Sequence, residues 1–206
     1  MIKHNVAQGS KQWLEARLGL PTASCADRIL TPEKLILSSQ AVPYRNQLLA
    51  EWALGTVFET ELRIYSTAID DGIQREADAA EYFSLITGLT TSECGFVTDD
   101  LRRWGASPDR WTSDGALLEI KSPTAPIHCG YLLEGVLPKS YRLQVAMQLL
   151  VTECPHAWFL SYYPGLPSLL LKIEPDPRVQ AALHAALALF CDQLDEAKAR
   201  LEEMRS

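Results

Sequence analysis

Ser107-Pro-Asp109 and, after nine further residues, Glu119-Ile-Lys121 give the clearest indication of how this chain folds. The segment Gly115–Ser122 is short, apolar and bounded by turn residues, which is typical of a β-strand. Successive side chains of a strand point to opposite faces, so the two charged side chains of the second motif share one face and their apolar neighbours share the other. Two carboxylates and an amine are therefore expected to converge at one end of a sheet.

These residue types are those of a magnesium site with an acid–base group beside it. Mg²⁺ prefers hard oxygen ligands and keeps several waters. Asp109 and Glu119 would supply carboxylate oxygens, and the Ile120 carbonyl lies between them in reach. Lys121 would either orient or deprotonate a water, or stabilise the charged transition state. The alternative is a solvated charge pair next to a turn, because short motifs recur by accident.

A second acidic residue is expected close to this site. Glu76 lies on the apolar face of a helix predicted from about residue 72 to 87, together with Ile73, Ala80 and Phe83. A buried carboxylate is costly unless a cation or hydrogen bonds compensate it. The alternative is an ion pair at the rim of the core.

Polar residues interrupt another, largely apolar helix predicted over Leu137–Thr152. Tyr141, Gln144 and Gln148 lie on one of its faces. A glutamine there is expected to hold the attacking water or a phosphate, and a buried amide needs such partners. The pattern leaves open which of the two glutamines does so. A polar stripe on an amphipathic helix is the alternative.

A phosphate pocket is predicted near the N-terminus. Ser10 is expected to cap a helix that Gly19 closes, and Thr22 to cap a second helix. Arg17 and Ser24 flank the turn between them, where backbone N–H groups, a hydroxyl and a guanidinium favour an anion.

The remaining pattern predicts an α/β or α+β domain with a small mixed sheet flanked by helices. Helices come first, with a third from Pro43 to Gly55; one strand is expected over Ser92–Thr98, and two more over His156–Tyr163 and Ser168–Glu174. One long helix over about 176–205 ends the chain. Residues 1–206 are interpreted as a single domain.

Composition excludes several classes of protein. The five cysteines and four histidines show no zinc-like spacing, so free thiols are expected. No apolar run has the length of a membrane span, and a cytoplasmic protein without membrane contact is expected. The net charge of −7 argues against a nucleic-acid partner, although carboxylates that hold cations contribute to it.

The motifs taken together resemble the lambda exonuclease family of phage recombination nucleases, also called YqaJ-like viral recombinases, of the PD-(D/E)XK superfamily. The matching blocks follow one order along most of the chain; they are Trp13-Leu-Glu-Ala-Arg17 with Thr22-Ala-Ser24, Gly72 with Glu76, Gly105-Ala-Ser-Pro-Asp109, Leu118-Glu-Ile-Lys-Ser-Pro123, and Tyr141 with Gln144. One departure stands out: Arg110 replaces the glycine that usually follows the aspartate.

The resemblance implies a restriction-endonuclease-like core and a role for each residue. Asp109, Glu119 and the Ile120 carbonyl would bind Mg²⁺, as two ions, with Mn²⁺ as a substitute. Lys121 would be the catalytic lysine, and Glu76 and Gln144 its helpers around the water. Arg17, Ser24 and Ser107 would bind the 5′ phosphate of the digested end.

The resemblance also implies an activity and partners. Family members degrade one strand of linear double-stranded DNA in the 5′→3′ direction to mononucleotides and leave a 3′ overhang for homologous recombination. A ring-shaped homotrimer and a single-strand annealing protein as partner are implied as well. Two alternatives are an endonuclease of restriction or repair type, and a non-catalytic DNA-binding subunit.

Overall fold

The chain alternates helices with short strands. The structure is a computed structural model that describes residues 1–58 and 69–205, and it describes side chains for residues 1–58 and 75–205. The strands are β1 (Ile2–His4), β2 (Thr91–Glu93), β3 (Phe96–Thr98), β4 (Gly105–Ala106), β5 (Arg110–Thr112), β6 (Leu117–Lys121), β7 (Ala157–Ser161) and β8 (Leu169–Ile173). The α-helices are α1 (Lys11–Arg17), α2 (Ala41–Leu54), α3 (Ile69–Thr87), α4 (Ala125–Glu134), α5 (Arg142–Thr152) and α6 (Pro177–Glu203). Two 3-10 helices cover Ala23–Arg28 and Lys139–Tyr141.

The larger sheet is mixed and has β6 near its middle. Its strand order is β2-β5-β6-β7-β8; β6 and β7 run parallel, and the other neighbours are antiparallel. A second sheet has the order β1-β3-β4. The predicted mixed α/β fold is confirmed, but with two sheets where one was expected.

The two faces of β6 pack against different helices. Leu118 and Ile120 lie in an apolar cluster with Ala79, Ala80 and Phe83 of α3 and Leu160 of β7. Leu117 lies in another cluster, with Val145 and Leu149 of α5. Glu119 and Lys121 share the face of Leu117, as strand alternation predicts. The side chain of Ile73, predicted to lie beside Ala80 and Phe83, is outside the described residues.

The largest apolar cluster joins the helices. Its members include Tyr44, Leu48, Leu143, Met147, Leu183 and Phe190. They come from α2, α5 and α6, so the long last helix holds α2 and α5 together. This packing fixes the position of α5, which carries the predicted glutamines.

Two predicted elements are wrong in detail. Ser92–Thr98 is not one strand, because β2 and β3 belong to different sheets and Gly95 lies between them. A Cβ at Gly95 would lie 2.3 Å from the backbone oxygen of His4, so the chain turns where two backbones meet closely. Thr22 starts a 3-10 helix but its side chain does not cap it, because its hydroxyl accepts a hydrogen bond from Arg17 instead.

The sequence patterns do not predict several elements of the structure, and the start of one predicted helix is wrong. Strands β1, β4 and β5 have only two or three residues each, too few for a periodic pattern. Helix α4 was not predicted either. The helix expected over Leu137–Thr152 becomes α-helical only at Arg142, after Pro138 and a 3-10 turn.

The predicted helix ends match the structure more closely. The Ser10 hydroxyl accepts a hydrogen bond from the Trp13 backbone at 3.2 Å. Gly55 ends α2 in the left-handed conformation, with φ of 66°. The five cysteines are free thiols. Within residues 1–58 and 69–205, none of the helices combines the length and apolar character that crossing a bilayer requires.

Candidate active site

One cleft of about 300 Å³ brings together every residue predicted for the site except Ile120. The cleft is lined by Gln8, Trp13, Arg17, Thr22, Ala23, Ser24, Glu76, Phe96, Ser107, Asp109, Glu119, Lys121, Gln144 and Gln148. The side chain of Ile120 packs on the opposite face of β6, and only its backbone was expected to take part. Residues that are far apart in the sequence therefore surround one space.

Local structure explains this convergence. Asp109 directly precedes β5, whose partner β6 carries Glu119 and Lys121 on one face. Gln144 and Gln148 are one turn apart on α5, which covers that face. Helix α3 contributes Glu76 from its side of the cleft, and α1 together with the following 3-10 helix contributes Arg17 and Ser24.

Both oxygens of the Glu119 carboxylate are held by donors. Glu119 is 1% exposed. Its Oε1 accepts from Lys121 Nζ and from Gln144 Nε2, each at 2.5 Å. Its Oε2 accepts from Gln148 Nε2, also at 2.5 Å. Both glutamines left open by the sequence therefore contact the same carboxylate, one on each oxygen.

Asp109 is tied to the same strand through its backbone. Its Oδ2 accepts a hydrogen bond from the Ile120 backbone N–H at 2.5 Å. Burial raises the pKa of the Asp109 carboxyl well above its ordinary value, and the nearby charge of Glu119 adds to that rise. Two carboxylates thus lie close together in a buried part of the cleft.

Lys121 is held as an ammonium ion beside these carboxylates. Burial alone would lower the pKa of this amine. The charges of Glu119 and Asp109 outweigh burial, and the pKa of Lys121 lies above its ordinary value. The Nζ also lies 5.0 Å from the ring centre of Tyr141. The positive charge of the protonated amine thus lies directly beside the two carboxylates.

Glu76 is partly exposed and forms an ion pair, which was the alternative to a fully buried carboxylate, and its partner Arg110 was not predicted. Its Oε1 lies 2.6 Å from Arg110 Nη1, and the same nitrogen donates to the Asp109 carbonyl at 2.8 Å. Burial raises the pKa of the Glu76 carboxyl, against the lowering effect of Arg110. Arg110 is also the residue at which the sequence departs from the family pattern. That departure is the feature of the sequence that could have pointed to this contact.

The predicted phosphate pocket is a connected polar group. Arg17 is 6% exposed, and its Nη2 donates to the Thr22 hydroxyl at 3.3 Å. That hydroxyl lies 3.2 Å from the hydroxyl of Ser24, which is exposed at the cleft rim. These contacts place a guanidinium and two hydroxyls side by side, an arrangement suited to an anion.

Trp13 links this group to the segment before Asp109. The Arg17 guanidinium lies 4.3 Å from the centre of the Trp13 ring, and Trp13 Nε1 donates to the Ser107 hydroxyl at 2.8 Å. Gln8 Nε2 donates to the Pro108 carbonyl at 2.8 Å. Sequence reasoning used Trp13 only as part of a motif and did not include Gln8, which precedes the first predicted helix.

The residues present fit a hard divalent cation. Across the described part of the chain, His, Cys, Asp and Glu side chains do not gather in groups of three or more as a metal site. The predicted ligand set needs only two, Asp109 and Glu119, with a backbone carbonyl as third ligand. Their hard oxygens suit Mg²⁺. The pKa of Asp109 is raised first by burial and then by the charge of Glu119, and a cation bound between the two carboxylates would offset both effects.

Comparison with known structures shows close similarity to an exonuclease. The alkaline exonuclease LHK-Exo from Laribacter hongkongensis superposes with a TM-score of 0.83 at 25% identity, over 95% of this chain and 98% of that one. Its complex with dAMP matches equally well, at 26% identity and a TM-score of 0.83. A phage-related exonuclease from Haemophilus somnus 129PT shares the fold, with a TM-score of 0.63 at 11% identity over 88% of this chain and 96% of that one.

Comparison with protein families gives the same result. Curated proteins include no significant match to this sequence. The model of the YqaJ-like viral recombinase domain matches residues 12–155, which contain all the motif blocks. The resemblance inferred from those motifs is thereby confirmed, and the chain belongs to the YqaJ-like viral recombinase family.

Proposed function

We propose that this chain is a Mg²⁺-dependent 5′→3′ exonuclease that digests one strand of linear double-stranded DNA to mononucleotides and leaves 3′ overhangs. The enzyme class rests on the family and on the likeness to LHK-Exo, which make the chain a deoxyribonuclease. The observation that supports the finer proposal is the single cleft with Asp109, Glu119 and Lys121 beside the Arg17 phosphate pocket.

The chain's own groups divide the chemistry between them. Asp109, Glu119 and the Ile120 carbonyl would hold Mg²⁺, as two ions, or Mn²⁺ in its place. The bound cation would polarise the scissile phosphate and activate a water. Lys121, kept protonated by Glu119, would stabilise the developing negative charge or donate a proton to the leaving oxygen.

Two further groups would position the water. Glu76 faces the cleft while Arg110 holds its carboxylate, so it can accept a hydrogen bond without moving. Gln144 holds Glu119 Oε1 and lines the same space. Both contacts restrict rotation of the carboxylates, and such preorganisation is a main source of rate enhancement.

The dAMP complex of LHK-Exo supports a mononucleotide product. That relative holds a deoxynucleoside monophosphate on a fold that this chain shares over nearly its whole length. In the present chain, the Arg17 group would receive the terminal phosphate while Asp109 and Glu119 face the next phosphodiester. End recognition by this pocket favours an exonuclease over an endonuclease.

A digestion with strand-specific labels tests the proposal. Linear duplex with 5′ phosphates and separate labels at each end is incubated with Mg²⁺, beside a closed circular duplex. We expect release of mononucleotides from the 5′ ends and no cleavage of the circle. Cutting of the circle would support an endonuclease, and the absence of any cleavage with Mg²⁺ or Mn²⁺ would support a non-catalytic DNA-binding subunit.

Arg17→Ala is expected to abolish the preference for phosphorylated 5′ ends. An arginine binds phosphate through charge-assisted hydrogen bonds that are each worth about 1.5–3 kcal/mol, so a loss of roughly tenfold to a hundredfold on phosphorylated ends is expected. Initial rates on 5′-phosphate and 5′-hydroxyl duplexes measure the ratio.

Arg28→Ala is the matched control for that substitution. Its guanidinium also lies 4.3 Å from an aromatic ring centre, that of Tyr44, but it is outside the cleft. The control should keep the preference. If wild-type protein digests both kinds of end equally, the Arg17 group is not a 5′-phosphate site.

A closed homotrimer is expected because an acidic chain must concentrate its positive charge to hold DNA. The net charge is −7, and a ring brings three inner faces together around one substrate. Light scattering at working concentration should give three times the chain mass, and a monomer would contradict the ring.

A single-strand annealing protein of the same recombination system, in the cytoplasm, is the expected partner, and a pull-down at micromolar concentration tests it.

A further inference from the structure

Gln148 is a fully buried amide of the cleft with one of its two polar atoms unused. The side chain is 0% exposed. Its Nε2 donates to Glu119 Oε2 at 2.5 Å. Its Oε1 is buried and has no hydrogen-bond partner among the described residues. Buried amide oxygens are nearly always paired, so this atom requires an explanation.

The orientation of the amide is fixed by its neighbour. Carboxylate oxygens accept hydrogen bonds and do not donate them when ionised. Rotating the Gln148 amide by half a turn would place its carbonyl oxygen against Glu119 Oε2, where two acceptors repel. The unpaired atom is therefore the carbonyl oxygen, and it requires a donor.

Among residues 1–58 and 75–205, whose side chains are described, none donates to Gln148 Oε1. Lys121 Nζ and Gln144 Nε2 both donate to Oε1 of Glu119. A group that enters the cleft can supply this missing donor. Mg²⁺ keeps several of its waters when it binds to protein carboxylates, and these waters are donors.

We propose that Gln148 is a positioning residue of the cation site, with Nε2 orienting Glu119 and Oε1 accepting a hydrogen bond from a water that the cation retains. The inference rests on the proposed function, because it assumes that Glu119 binds the cation. It gives the two glutamines different roles. Gln144 is half-buried and has no buried polar atom without a partner, whereas Gln148 both orients the ligand and contacts the hydration shell.

Gln148→Met and Gln144→Met form a matched pair that isolates the carbonyl oxygen. Each substitution removes one amide donor from Glu119 and keeps the side-chain length. Only the first removes the buried acceptor. Gln180→Met on α6 serves as a distant control, because Gln180 donates to the Ala146 carbonyl and does not line the cleft.

Calorimetric titration of Mg²⁺ into the DNA-free protein is the measurement. Losing an outer-shell partner of a metal site typically weakens affinity about 10- to 100-fold. We expect a loss in that range for Gln148→Met, a smaller loss for Gln144→Met and none for Gln180→Met. The rise in melting temperature that Mg²⁺ causes should shrink in the same order.

The outcomes separate this inference from the proposed function. Equal losses in Gln148→Met and Gln144→Met, or no loss in the former, would overturn the role of Oε1. Wild-type protein that binds no Mg²⁺ would instead overturn the proposed function. If Gln148→Met does not fold, Gln148→Asn replaces it, because this variant keeps the amide but shortens its reach. A loss of Mg²⁺ affinity in Gln148→Asn greater than that in Gln144→Met would support the inference. Wild-type Mg²⁺ affinity in Gln148→Asn would overturn it.

Discussion

Lys121→Ala is expected to reduce strand cleavage by about a hundred- to ten-thousand-fold while DNA binding stays nearly intact. This is the usual cost of losing a positioned acid or base. Lys121 Nζ lies 2.5 Å from Glu119 Oε1. Burial alone would lower the pKa of this amine, but the charges of Glu119 and Asp109 raise it above its ordinary value. The ammonium therefore lies where negative charge would develop, whereas binding of the duplex depends on many phosphate contacts.

Single-turnover digestion and a binding assay with Ca²⁺ separate the two effects. Lys172→Ala is a suitable control, because Lys172 lies on β8 of the same sheet and is not among the residues lining the cleft. Its cleavage rate should match that of the wild type. Near-normal turnover by purified Lys121→Ala protein would remove Lys121 from the catalytic group.

The alternation of side chains along a strand is the sequence rule that predicted most of the site. The alternation along Leu117–Lys121 is enough to place Glu119 and Lys121 on one face, because the pleat has a period of two. Helical periodicity likewise places Gln144 and Gln148 together. These local rules predict which side chains of one element share a face. The expectation that the elements meet at one site came from the resemblance of the five motif blocks to a family.

Contacts between elements could not be read in the same way. The ion pair between Glu76 and Arg110 joins α3 to β5, a strand too short to show a pattern. The hydrogen bond from Trp13 to Ser107 crosses between segments that are 94 residues apart. Each depends on the relative position of two elements, which long-range packing sets and local sequence does not.

Arg110 shows how a departure from a family pattern can be explained by geometry. A glycine after the aspartate would leave Glu76 without its partner at 2.6 Å. The arginine instead balances part of the negative charge that Glu76, Asp109 and Glu119 bring to one cleft. The substitution is therefore compatible with an intact site, since each proposed ligand keeps its place.

Asp109→Asn and Glu119→Gln are each expected to weaken Mg²⁺ binding more than about a hundredfold. Removing even an outer-shell partner costs about 10- to 100-fold, and a direct ligand should cost more. Asparagine keeps the shape of Asp109 and can still accept the hydrogen bond from the Ile120 backbone. The loss would therefore report the missing charge and ligand strength, not a disrupted turn.

The metal-free protein should respond in the opposite direction to Asp109→Asn. The pKa of this carboxyl is raised in the folded state, first by burial and then by the charge of Glu119. The carboxyl therefore costs stability as the pH rises above its pKa in the unfolded chain, and this cost is complete above its pKa in the folded state. Metal-free Asp109→Asn should consequently melt at a higher temperature than the wild type at neutral pH, because the amide carries no charge into the buried site. Addition of Mg²⁺ should reverse the order, because only the wild type gains from binding.

Calorimetry and thermal melting with and without Mg²⁺ measure both effects. Asp114→Asn is the control on the same hairpin, since Asp114 binds Thr112, His156 and Trp158 outside the cleft. Asp114→Asn should lower the melting temperature of the metal-free protein without changing Mg²⁺ affinity. Asp109→Asn should raise that melting temperature and weaken Mg²⁺ binding. Unchanged affinity in both Asp109→Asn and Glu119→Gln would place the cation elsewhere, because neither carboxylate would then be a ligand.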